Sequence, residues 1–350
     1  MNAAMPARAA APAAERTRAH RPRSTLAALA LLGLLLAIAL VASVGIGAAD
    51  LSLREVAAAL VGRGDDTARA IVRDLRLPRA TLAAMTGASL ALAGAVFQAL
   101  LRNPLADPYV LGVSGGAAVG AVAAIVLGLS ARAPGSVPAA ALTGALAAIL
   151  IVFRIASAVG RALDTRVLLL AGVVVGAFFN AVILLLLTLA EAESFRSAVF
   201  WMMGSLSSAS WPNVALLAVY LAPATLVLLG LARPLDLLAV GEETALHLGV
   251  RAERVKLAAY FVASLLVAAS VAACGVIGFI GLIVPHALRL ACGSGHRLLL
   301  PASVLAGAAF LLVADTAART IAAPAELPVG VITALIGVPV FILLLARRKA

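Results

Sequence analysis

Polar residues in this chain come in short clusters, and apolar stretches of about twenty residues separate them from end to end. The first is Leu26–Val44. Nine more follow at Arg79–Leu101, Val110–Leu129, Val137–Ala156, Val167–Leu189, Val214–Leu231, Val255–Ala273, Val276–Leu290, Leu298–Ala317 and Pro328–Leu345. Runs of this length predict membrane-crossing helices, and the short alternating segments of a barrel are missing from the pattern. Ten crossings put both chain ends on one side. The eighth stretch, of about fifteen residues or ~22 Å, falls short of the apolar core and needs shielding by its neighbours. Between the first two stretches the chain leaves the membrane over 47–75. There Leu53, Val56, Ala57 and Leu60 recur at helical spacing behind Ser52, with Glu55 three residues after it. That spacing predicts a short capped, amphipathic surface helix.

Turn-forming residues are densest over 76–120. Two apolar helices flank the polar turn Arg102-Asn103-Pro104-Leu105-Ala106-Asp107-Pro108. Both prolines forbid helix continuation and bias the preceding residue towards extended backbone, which predicts a fixed corner at a membrane surface. Arg76 and Arg79 bracket Pro78, a residue suited to a first helical turn. Gly112, Gly116 and Gly120 fall on one helical face, where another backbone can come close.

Composition agrees: 63% of residues are hydrophobic and 12% charged, against about half and a quarter in soluble domains. The fold class is therefore an all-α polytopic membrane protein. It reads as a single membrane domain over 25–350 behind a basic tail, 1–24, expected to be disordered and cytoplasmic. Leu26–Val44 is longer than a signal-peptide core and reads as a retained helix. A net charge of +11 could suggest nucleic acid, but basic loops also set membrane topology. With both ends cytoplasmic, two thirds of the 27 Lys and Arg fall on that side. The exception is the group from Arg54 to Arg79, on the outer side. Cys274 and Cys292 sit at opposite ends of the eighth stretch, too far apart for a disulfide.

Catalytic signatures are few. A phosphate-binding loop ends in Gly-Lys-Ser/Thr, yet the two lysines, Lys256 and Lys349, follow Val255 and Arg348. Asp315 is the acid deepest in an apolar stretch. Arg319, four residues on, predicts a local ion pair, with a coupling-ion site as the alternative. His20, His247, His286 and His296 have no metal-ligand spacing. His286 and Arg289, beyond Pro285, are expected at the cytoplasmic surface. The 241–250 loop carries Leu246, Leu248 and Val250 among charges, with Gly249 ending a short helix. An ion-coupled transporter and a membrane enzyme or scaffold remain as rival classes.

The motifs RLPR (76–79), GASLALAGAVFQ (87–98) and RNPLADPYVLGVSGG (102–116) carry a resemblance. So do WMMGSL (201–206), GEETALHLGV (241–250), GFIGLIVPHALR (278–289), Asp315 with Arg319, and ELPVGVITALIGVPVFI (326–342). In this order they resemble the permease family of ABC importers for iron-siderophores, haem and cobalamin. The resemblance implies an inverted-repeat type II permease fold, with spans two to five and seven to ten related. It implies a second copy of this chain, two ATP-binding-cassette subunits that hold the ATP, and a periplasmic or extracellular substrate-binding protein. The setting it implies is lipid of the cytoplasmic membrane. No cofactor on this chain and no nucleic-acid partner are expected. Gln98, Asn103, Leu105, Thr165, Gly172 and Gly176 match the pathway and gate. Gly241, Glu242, His247, Leu248, Gly249 and Val250 match the loop that couples to the ATPase. Arg76, Arg79 and Arg319 match residues that dock the binding protein. The implied cargo is an iron chelate, siderophore or haem, with cobalamin as the alternative.

Overall fold

Ten apolar helices occupy the ten predicted stretches in the computed structural model, which describes residues 22–47, 49–133, 135–159 and 164–347. The expected tail up to residue 21, Leu163 and 348–350 lie outside the described residues. The helices are α1 Pro22–Gly45, α2 Leu77–Leu100, α3 Val113–Val126, α4 Ser136–Val159 and α5 Thr165–Thr188. Then follow α6 Trp211–Gly230, α7 Ala252–Cys274, α8 Ile280–Cys292, α9 His296–Thr320 and α10 Val329–Arg347. Helix α1 starts inside the segment assigned to the tail, on a proline, whose missing N–H costs nothing at a first turn. Its Leu31, Leu34 and Ile38 are exposed, as a lipid-facing helix requires.

Helix α2 is the centre of the bundle and packs against α6, α7, α8 and α9. It is buried along almost its whole length. In lipid the hydrophobic effect does not pull helices together, so close approach of backbones must do it, and small residues permit that. A Cβ on Gly94 would lie 2.0 Å from the Gly281 carbonyl oxygen of α8. The predicted glycine face of α3 packs on α4, where Gly116 meets Gly144 and Gly120 meets Ala140. Gly112 is not part of that face: at φ 76 it caps the helix start.

Helix lengths repeat. Helices α2 to α5 have 24, 14, 24 and 24 residues, and α7 to α10 have 23, 13, 25 and 19. The short helices are α3 and α8, each about 20 Å and too short to cross alone. Thus α3, expected over Val110–Leu129, is shorter than its apolar stretch. A segment outside the α-helices supplies the remaining depth before each, ending before α3 in the 3-10 turn Pro108–Leu111. The 101–112 segment enters from the end of α2, and 275–279 enters from the other face at the end of α7. They meet inside the bundle, where Tyr109 Oη donates to the Ile277 carbonyl at 2.8 Å and Pro108 packs on Gly281. This is the inverted-repeat architecture, and it corrects the expected surface corner. Arg102, Asn103 and Leu105 are exposed, whereas Ala106, Pro108 and Leu111 are buried. Backbone that breaks the α-helix is tolerated at that depth because it is enclosed by protein and bonded. Asp107 accepts from the Tyr109 N–H at 2.8 Å, and Asn103 Oδ1 from the Leu105 N–H at 3.0 Å.

Two further expectations change. Pro78 lies in the first turn of α2 as predicted, but helical backbone precedes it. Asp66–Ala70 and a π-helical turn, Ile71–Arg76, run straight into α2. Pro78 has no N–H to close onto Asp74, and the wider turn accommodates that gap. Cys274 and Cys292 end different helices, α7 and α8, and both are free thiols. The surface helix Leu53–Leu60 forms as predicted, with the full Ser52–Glu55 capping box.

Candidate functional site

One face of the bundle carries the end of α1, the start of α2, the end of α9 and the start of α10. Three arginines and two acids lock these elements together. Asp315 is fully buried and accepts from Arg79 Nε and Nη2 at 3.1 and 3.0 Å, and from Arg319 Nε at 3.1 Å. Arg79 Nη1 reaches Glu326 at 2.8 Å. The remaining donors cap α1, whose last carbonyls have no partner within their own helix. Arg76 Nη1 donates to the Val44 and Gly45 carbonyls at 2.9 Å, and Arg319 to those of Ser43 and Ile46 at 3.0 and 3.1 Å. Cations belong at a helix C-terminus because the partial charge there is negative. Arg76, Arg79 and Arg319, matched to docking by the resemblance, therefore spend their guanidiniums inside the protein. Asp315–Arg319 is the predicted local pair, enlarged by Arg79. On the same face Arg54 and Arg63 are exposed.

The opposite face gathers the end of α2, the turn after it, the start of α5 and the hairpin between α6 and α7. Thr165, beside the Asp164 cap of α5, donates to the Leu100 carbonyl at 3.4 Å. Thr165 therefore lies against the foot of the turn that carries Asn103 and Leu105. Gly172 packs on the entering segment: its Cβ would lie 2.4 Å from the Val110 carbonyl oxygen. Gly176, one turn on, has open space around that position. Accordingly Gly172→Ala should lower the unfolding temperature in detergent by several degrees, while Gly176→Ala leaves it unchanged. Equal effects of the two would contradict this packing.

Gln98 is buried between α2 and α8. Its Nε2 donates to the Gly281 and Leu282 carbonyls at 3.2 and 3.1 Å, and its Oε1 accepts from Arg289. Pro285, four residues after Gly281, has no N–H to give that carbonyl, and the amide substitutes for it. So Gln98 lies at a helix interface. His286 is not at the surface as expected but buried beside Phe341, while Arg289 is half-buried and turned onto Gln98. A charge in the last turn of an apolar helix must find partners or stay hydrated, and α2 offers the partners.

The hairpin consists of the helices Ala232–Val240 and Glu242–His247. Ala245 is its buried foot, and Leu246 and Leu248 are 65% and 61% exposed. Gly241, His247 and Val250 complete the projecting loop. Gly249 ends it at φ 79 and donates its N–H to the Leu246 carbonyl at 2.9 Å. Two contacts tying this region down were not foreseen. Glu242 Oε1 pairs with Arg102 Nη2 at 3.3 Å and with Lys256. Asp236 accepts from the His296 N–H and Nδ1 at 2.9 and 2.6 Å, holding the hairpin to α9. Partial burial works against the Asp236 charge, but the His296 bonds outweigh it and hold this carboxyl below its usual range. Arg102 stood in the turn motif without a role of its own, and Asp236 carried no signal in the sequence.

The WMMGSL segment starts in the last turn of a short helix, Ala192–Met202, and its Gly204 packs on the Val276 carbonyl. A cavity of about 330 Å³ lies beside it, lined by Phe200, Trp201, Ser205 and Glu326 among others. A more open apolar one of about 590 Å³ continues along α10 past Met202, Val331 and Leu335. Among the described residues no three His, Cys, Asp or Glu side chains cluster as a metal site.

The chain matches the FecCD transport family over residues 35–347. It is 49% identical over 284 residues to the cobalamin import system permease protein BtuC of Halobacterium salinarum, covering 81% of this chain and 75% of that one. It is 40% identical over 325 residues to the hemin transport system permease protein HmuU of Yersinia pestis, covering 90% and 94%. Among solved structures, a metal-chelate type ABC transporter in an inward-facing conformation superposes with a TM-score of 0.82 at 34% identity. That match covers 91% of this chain and 98% of the other.

Proposed function

This chain belongs to the FecCD transport family, and we propose that it carries a metal chelate into the cell as the permease half of an ATP-driven importer. Permeases of this family work with separate ATPase and substrate-binding subunits. Haem and cobalamin are the cargoes named for the relatives above, and they support an iron chelate and cobalamin equally. The observation that carries the reading is the projecting hairpin: Leu246 on its short helix and Leu248 just past the helix end stand exposed, beside the turn that carries Asn103 and Leu105. Exposed apolar side chains ringed by charge are what a docking knob needs.

In this reading the hairpin, through Gly241, Glu242, His247, Leu248, Gly249 and Val250, meets the ATPase in the cytoplasm, so both chain ends are cytoplasmic and the 1–24 tail lies there. ATP stays on the partner, and this chain holds no cofactor. Two copies enclose the pathway in the cytoplasmic membrane, gated by Asn103, Leu105 and Thr165. The binding protein docks on the arginine-rich outer face, where Arg76, Arg79 and Arg319 keep the docking surface in shape. Gly249→Pro is the test: proline cannot adopt φ 79 and would remove the N–H given to Leu246. The variant should insert normally yet fail to stimulate the ATPase. Stimulation at the wild-type level would place the contact elsewhere.

A further inference from the structure

We infer that Glu242 is the joint through which movement of the hairpin reaches the gate turn, a role that rests on the permease reading above. One carboxylate oxygen touches cations from two other elements, Arg102 after α2 and Lys256 at the start of α7. Glu242 opens the helix Glu242–His247, so displacing that helix displaces the carboxylate. Arg102 is one of two non-glycine residues with positive φ among the described residues, at φ 47. Such a conformation persists only where the surroundings fix it. The next residue, Asn103, turns the chain by accepting from Leu105. A pull on the Arg102 side chain therefore acts where the turn takes its direction. Lys256 is nearly buried and ties the same oxygen to α7, which packs on α2. An exposed ion pair such as Arg102–Glu242 adds little to stability. Its effect is on the relative placement of hairpin and turn.

The experiment uses the complete importer in proteoliposomes and reads cargo moved per ATP hydrolysed. Arg102→Gln should melt at the wild-type temperature and bind the ATPase normally, while cargo per ATP falls about fivefold or more. Arg102→Lys, which keeps the charge, should retain at least about half of the wild-type ratio. Glu242→Gln, which also removes the Lys256 contact, should lower the ratio at least as far as Arg102→Gln does, and adding Arg102→Gln to it should lower it no further, because the Arg102–Glu242 contact is already gone. A wild-type ratio in Arg102→Gln, or a double variant showing the product of the single effects, overturns the joint and leaves the permease reading standing. A wild-type protein that imports nothing in response to ATP overturns both.

Discussion

Asp315→Leu should leave little folded protein in the membrane. The leucine would set Arg79 and Arg319 against each other with no anion between them. Arg79 would keep Glu326 and Arg319 its carbonyls, so the charges stay buried while half their compensation goes. Removing one partner of a buried ionic cluster costs about 3–5 kcal/mol, a large share of the 5–15 kcal/mol that holds a typical domain. Membrane-fraction yield and the unfolding temperature in detergent would both show it. The same reasoning applies to the paired change Arg76→Glu, Arg79→Glu. A docking role alone would make that variant fold, keep its basal ATPase activity and lose only the binding protein. With both guanidiniums engaged inside, the expected result is loss of folded protein, which charge reversal on the binding protein does not rescue. An Asp315→Leu protein that melts like the wild type would contradict the clamp.

Gln98→Leu is the second change of this size. It strands the Gly281 carbonyl, which Pro285 cannot serve, and leaves the half-buried Arg289 with the Ala95 carbonyl alone. Each buried polar group without a partner costs about 1–3 kcal/mol, so a loss of roughly 3 kcal/mol or more is expected. Gln98→Glu keeps an acceptor for Arg289 and gives up only the donated bonds, so it should cost less. Thermal unfolding of the three proteins in one detergent gives the order wild type, Gln98→Glu, Gln98→Leu. A Gln98→Leu protein as stable as the wild type would mean that the proline-freed carbonyl needs no side chain.

The crossing helices were legible because lipid imposes a length and an apolar composition that a sequence displays directly. The Ser52–Glu55 cap and the Gly116–Gly120 face were legible because their partners are local or their spacing is helical. The depth of the 101–112 segment was not, since it depends on Ile277, 168 residues from Tyr109. Nor was the direction of Arg79, which depends on Asp315, 236 residues away. An arginine at the end of an apolar stretch reads the same whether it meets water, lipid or a buried acid. His286 and Arg289 were misplaced for a related reason. His286 and Arg289 share one face of α8, and nothing in the local pattern says that this face meets α2 and Phe341 rather than water. Asn103 and Leu105 were found as a turn motif, but the tie of that turn to the hairpin through Arg102 and Glu242 is tertiary.

Uptake into proteoliposomes tests the central claim most directly. The chain, its ATPase and its binding protein would be reconstituted, and haem, a ferric siderophore and cobalamin supplied one at a time. The expected result is accumulation of one chelate that requires ATP inside the compartment facing the hairpin and is unaffected by collapsing ion gradients. Accumulation that follows a proton or sodium gradient without ATP would contradict it.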